Sequence, residues 1–165
     1  MILGMSVQAF TVVHVVISLL GILSGVVVLA GMFSSRKVER WTRLFLATTM
    51  LTSVTGFFLP SDRILPSHVV GVLSLMVLAV AILALYVYRV AGAWRWIYVT
   101  SAILALYLNV FVAVVQAFLK IGFLNTLALT QSEPPFLIAQ LVVVVLFIAL
   151  GIVAARSFHP ETNAF

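Results

Sequence analysis

Pro60-Ser61-Asp62-Arg63-Ile64-Leu65-Pro66-Ser67-His68 is the stretch on which the fold turns. Charge-free blocks flank it at 44–61 and 64–88, each close to the roughly 20 apolar residues that a helix needs to cross a hydrocarbon core. Proline lacks the N–H that a helix interior requires but is tolerated in the first turn, so Pro60 reads as a stop and Pro66 as a start. A short polar link between two such blocks predicts a helical hairpin with antiparallel neighbours.

Working outward, further charge-free blocks lie at 1–35, 96–119 and 134–155. Lipid offers no partner for backbone amides, so each block must satisfy them internally as helix. The sequence therefore predicts an all-α integral membrane protein, a single transmembrane domain over 1–165, with a bundle of five transmembrane helices near 9–33, 42–59, 66–88, 94–119 and 135–156. The first block lacks a basic start, and its apolar run exceeds the roughly 7–15 residues of a signal-peptide core, so it is expected to be a retained helix.

Composition agrees with this. Of the 165 residues 64% are hydrophobic and 8% charged, too little polar surface for a soluble globule. Chemistry that needs cysteine is excluded, because the chain has none. The net charge of +5 is distributed by side: Arg36, Lys37, Arg40, Arg43, Arg89, Arg95 and Arg156 fall together in one topology, and only Arg63 and Lys120 fall opposite. That asymmetry predicts the N-terminus outside and the C-terminus cytoplasmic, and it argues for the lipid bilayer rather than nucleic acid as the partner of the positive charge. Trp41, Trp94 and Trp96 then share the inner interface.

The long connection Lys120–Glu133 is fairly apolar and is expected to lie on the membrane surface or over the bundle mouth. It ends in Glu133-Pro134-Pro135, a helix start in which the carboxylate is expected to cap free amides.

Polar and small residues fall in one stripe per helix at the helical period. They are His14, Ser18, Gly21 and Gly25 in the first, Thr48, Thr52 and Thr55 in the second, Asn109, Gln116 and Lys120 in the fourth, and Glu133 and Gln140 in the last. At about 1.5 Å of rise per residue, most of these lie in the outer half, with His68 at the mouth of the third helix. If the stripes face one another they form an outer-leaflet polar pocket of Ser18, Thr52, Thr55, Asp62, Asn109, Gln116, Glu133 and Gln140 around His14 and His68.

Two histidines at one depth fit axial ligation of a haem b, with Gly21 and Gly25 making room for the ring and Arg63 meeting a propionate. The same pair with Glu133 or Asp62 is a candidate set for a divalent metal such as zinc, iron or manganese. Alternatively, each histidine is a helix–helix hydrogen-bonding group.

Leu46-Ala47-Thr48-Thr49, Leu51-Thr52-Ser53-Val54-Thr55-Gly56-Phe57, Leu65-Pro66-Ser67-His68 and Gln131-Ser132-Glu133-Pro134-Pro135-Phe136 resemble segments of a family of small bacterial inner-membrane proteins with no assigned activity. The resemblance implies a multi-pass protein of the bacterial plasma membrane and implies no chemistry. The functional expectations are a cofactor-binding membrane protein in a redox role, an accessory subunit of a larger membrane complex or homo-oligomer, and a small transporter. An enzymatic role is left open.

Overall fold

A computed structural model describes residue 2, residues 4–59 and residues 66–160, with all their side chains except those of Pro66 and Ser67. Helices account for about four fifths of it, and among the described residues there is no strand, only an isolated bridge between Ile2 and Met5. The elements are α1 (Val7–Phe33), α2 (Glu39–Gly56), α3 (Pro66–Ile82) continued by a π-helical turn (Leu83–Val87), α4 (Trp94–Lys120), α5 (Gly122–Leu127) and α6 (Pro134–Ser157). Four segments are long and apolar enough to cross a membrane: Val7–Phe33, His68–Val87, Trp94–Lys120 and Pro134–Ser157. The described helix positions lie within a few residues of those expected from the charge-free blocks.

Local chemistry sets the boundaries. Ser6 caps α1, its hydroxyl accepting from the Ala9 amide at 3.1 Å. At the other end Ser35 takes φ 54°, and the amides of Ser35 and Arg36 reach back to the carbonyls of Met32 and Gly31, the double bond of a Schellman motif. A Cβ on Gly31 would lie 2.9 Å from a Val38 methyl and 3.1 Å from the Arg36 carbonyl, so glycine lets this turn fold back closely. Past the π-helical turn, Arg89 (φ 50°) and Val90 (φ 54°) reverse the chain, and burial of Val90 in the core holds that strained β-branched residue in place.

Glu133 is the N-cap residue of α6 as expected, but its carboxylate makes no cap bond. Pro134 and Pro135 remove two of the amides a cap would serve, and the carboxylate instead folds into the preceding loop. It accepts from the Thr130 amide at 3.0 Å, the Thr130 hydroxyl at 3.0 Å and the Ser132 amide at 3.0 Å.

The most extensive interface joins α1 and α2, while α4 sits centrally against α1, α3, α5 and α6. The main apolar core, built from Met32, Phe45, Leu78, Ala81, Val99 and Leu106 among others, fills the half of the bundle nearest the basic turns. At the opposite end Phe118, Ala128 and Phe136 pin the α5 loop across α4 and α6. The connection expected to lie on the membrane surface or over the bundle mouth thus contains a short helix, α5, that fully buries none of its own side chains and packs on α4.

Candidate functional site

The residues singled out from the sequence are distributed over separate helix pairs. His14, half-buried on α1, has its Nδ1 2.8 Å from the Thr55 hydroxyl oxygen on α2. The Thr55 hydroxyl donates its own proton to the Leu51 carbonyl at 2.6 Å, so it must accept from His14 Nδ1–H. In the neutral ring this leaves Nε2 with the lone pair. His68 is close by in the fold, its ring stacked on Phe57 at 5.7 Å between centroids.

Asn109 on α4 reaches across to α2, its amide donating to the Thr49 hydroxyl at 2.9 Å. Gly21 lies against this crossing: a Cβ there would sit in ordinary contact, 3.4 Å from Asn109 Nδ2 and from the Thr48 and Thr49 hydroxyl oxygens. Gln140 on α6 donates to the Phe111 carbonyl of α4 at 3.2 Å, and its Oε1 is buried without a partner, as is the Thr52 hydroxyl. Ser18 returns its hydroxyl to the His14 carbonyl one turn back.

Three expectations need correction. Gln116 is exposed, because α4 turns that position away from its neighbours. Glu133 closes its own loop rather than facing a pocket. Gly21 and Gly25 do not open room for a porphyrin: the space at Gly21 holds Asn109, Thr48 and Thr49, and a Cβ on Gly25 would lie 2.6 Å from Leu106 and 2.9 Å from Phe45. Asp62 and Arg63 lie outside the described residues. Among the described residues no group of three or more His, Asp or Glu side chains is gathered as metal ligands would be. His14 and His68 therefore share one end of the bundle without Glu133, and the packing seen at Gly21 and Gly25 leaves no room there for a porphyrin.

What sequence reasoning did not mark is a cavity of about 150 Å3 at the basic end. Arg36, Lys37, Glu39 and Arg43 line it, with the hydroxyl-bearing side chains of Thr42, Tyr86 and Tyr98. Its apolar lining comes from Val28, Met32, Leu85 and Phe158. Thr42 and Tyr98 are both buried, and their hydroxyl-bearing side chains bring α2 and α4 together at the cavity wall. Partial burial pulls the Lys37 ammonium below its ordinary value, a tendency that the nearby Glu39 carboxylate opposes.

The same end is tied together by Arg95, whose guanidinium donates to the carbonyls of Ala155 and Phe158 at the end of α6 and lies 4.4 Å over the Trp96 ring. The His159 amide donates to the Ser35 hydroxyl, fastening the C-terminal segment to the turn after α1. The sequence signal for this cavity was the 36-39-43 charge spacing combined with polar hydroxyls at 42, 86 and 98. Taken one segment at a time, those charges read only as orientation signals.

No protein-family model matches the chain, and the searches of curated proteins and of solved structures give no match.

Proposed function

We propose that the chain is a five-span bacterial plasma-membrane protein, N-terminus outside and C-terminus cytoplasmic, that serves as a non-catalytic subunit of a membrane assembly. The fifth span is α2. Its 18 residues cover about 27 Å at 1.5 Å per residue, near the roughly 30 Å of a hydrocarbon core, and Glu39, Arg40 and Arg43 are confined to its first turns. The seven-to-two distribution of cations supports the orientation.

The observation that carries the non-catalytic reading is the pairwise commitment of intramembrane polar groups. His14–Thr55, Asn109–Thr49 and Gln140–Phe111 carbonyl each join two helices, as polar residues do where hydrocarbon offers no other partner. The transporter reading is less favoured, because Phe45 and Leu106 close on Gly25 between the basic-end cavity and the Asn109–Thr49 pair.

Two measurements test this proposal. Because the chain has no cysteine, single replacements report topology without background: Leu129→Cys should react with an impermeant maleimide in intact cells, and Ala91→Cys only after permeabilisation. The reverse pattern overturns the orientation. Extraction into lipid nanoparticles should place the chain in a particle of defined stoichiometry larger than one copy, with neither a Soret band nor stoichiometric metal. A lone copy, or a Soret band lost in His14→Ala, overturns the subunit reading.

A further inference from the structure

We propose that the cavity between the α1–α2 turn, α2, α4 and the end of α3 is a binding site for a phosphate group at the membrane surface, supplied by the headgroup of an anionic phospholipid. The inference rests on the helices spanning a bilayer and not on the subunit role.

The lining is rich in donors and positive charge. Among the described residues that line it, Arg36, Lys37 and Arg43 accompany one carboxylate, Glu39, and the Tyr86 side chain comes in from the end of the third helix. Arginine presents a planar fork that matches phosphate oxygens in pairs. Val38, the N-cap residue of α2, supplies no side-chain cap, so the positive end of that helix adds its field to the same space. Glu39 in the first turn offsets part of that field and leaves the cations in excess.

The apolar lining decides between ligands of different size and origin. Val28, Met32, Leu85 and Phe158 bound the cavity toward the core, while Arg36, Glu39 and Arg43 stand exposed at its mouth, where a headgroup can reach them. At about 150 Å3 the space is well below the roughly 300–1,000 Å3 of sites that enclose whole metabolites. It suits one phosphodiester, with the rest of its molecule outside. The cavity also lies at the end of the bundle where α4 starts with Trp94 and Trp96, and interfacial indole rings and lipid phosphates meet at such helix ends.

The test is native mass spectrometry of the purified full chain with phosphatidylglycerol, phosphatidylcholine and inorganic phosphate as separate probes. Wild type should retain phosphatidylglycerol in preference to phosphatidylcholine. Arg36→Gln and Arg43→Gln should each weaken that retention roughly fivefold, the contribution of one cation at an anionic surface. Arg156→Gln, exposed and outside the cavity lining, should leave it unchanged. The paired substitution Arg36→Lys with Arg43→Lys should restore part of the retention, and Tyr86→Phe, at a half-exposed position, weakens it with little risk to folding. Retained helicity by circular dichroism identifies folded variants.

Protection of wild type against heat by inorganic phosphate, lost in the Gln variants and not reproduced by phosphatidylglycerol, assigns the same phosphate site to a soluble ligand. Equal retention of the two lipids with no phosphate effect, or equal loss in Arg156→Gln, overturns the proposal. Because assembly size is read separately, a chain that still assembles while failing this test refutes the site alone.

Discussion

α2 begins with Glu39, Arg40 and Arg43 and carries a run of threonines, yet it buries Thr42, Phe45, Leu46, Thr48, Thr49 and Ser53 within 18 residues. α6 has no charge before Arg156 and buries only Phe136, Gln140 and Ala154 within 24. The more polar helix is thus the more enclosed one. In water the order would be reversed, but between helices in lipid there is no hydrophobic drive to association, since a neighbouring side chain is no more apolar than an acyl chain. Close backbone approach and hydrogen bonds hold α2, while the valine-rich flank of α6 is left for lipid or for another protein.

The largest contrast is expected in packing. Gly25→Ala on α1 pushes against Leu106 and Phe45, both nearly fully buried, and should cost about 1–3 kcal/mol as overpacking. Gly151→Ala on α6 meets only Ile103 at 3.7 Å and should be neutral or stabilising by up to about 1 kcal/mol through helix propensity. Thermal unfolding in nanodiscs measures both, and equal losses would break the comparison.

Hydrogen bonding gives the next contrast. Asn109→Leu leaves the fully buried Thr49 hydroxyl without its donor and should cost about 0.6–1.7 kcal/mol. A double-mutant cycle with Thr49→Val isolates the pair. Gln140→Leu loses one bond but also removes an unpartnered buried oxygen, so its net effect should stay within about 0.5 kcal/mol. A larger loss for Gln140→Leu than for Asn109→Leu would show that α6 is held by polar contacts after all.

The smallest effect lies in the loop leading to α6. Bonds from the Thr130 backbone amide, opposed by desolvation and aided by the Thr130 hydroxyl and the Ser132 amide, hold the Glu133 carboxyl below its ordinary value. A depressed carboxylate contributes order that is present above the unfolded-state value and lost as pH falls through the folded one. Hydrogen exchange at the Thr130 amide should therefore accelerate, relative to neighbouring amides, as the medium is acidified through the carboxylate range. Glu133→Gln should remove that dependence, and an unaltered profile in the variant would assign it to another group.

The helix positions were legible because charge-free runs bounded by Arg36, Arg43, Arg89, Arg95 and Glu133 admit few other readings. The shared depth of His14 and Thr55 also followed from rise per residue. Rotation did not. A stripe at helical spacing says which residues share a face but not which neighbour the face meets, so Gln116 was grouped with Asn109 although α4 turns it outward. Glu133 failed for a local reason, since two prolines remove the amides its carboxylate was expected to serve. The basic-end cavity needed three segments brought together, Arg36–Arg43, Tyr86 and Tyr98, and no single-segment pattern announces such a meeting.

Tyr86 enters that meeting by way of the π-helical turn. The Tyr88 amide bonds the Leu83 carbonyl, five residues back, so Leu83–Val87 holds one residue more than an α-helical turn would. That surplus is a setting of angular phase. Deleting one residue there would restore α geometry and swing everything on one side of the deletion by about 100° against the other. Either Tyr86 or the fully buried Leu78 and Ala81 would then face the wrong way. The chain length of this one segment is what keeps the apolar core and the basic-end cavity in register on a single helix.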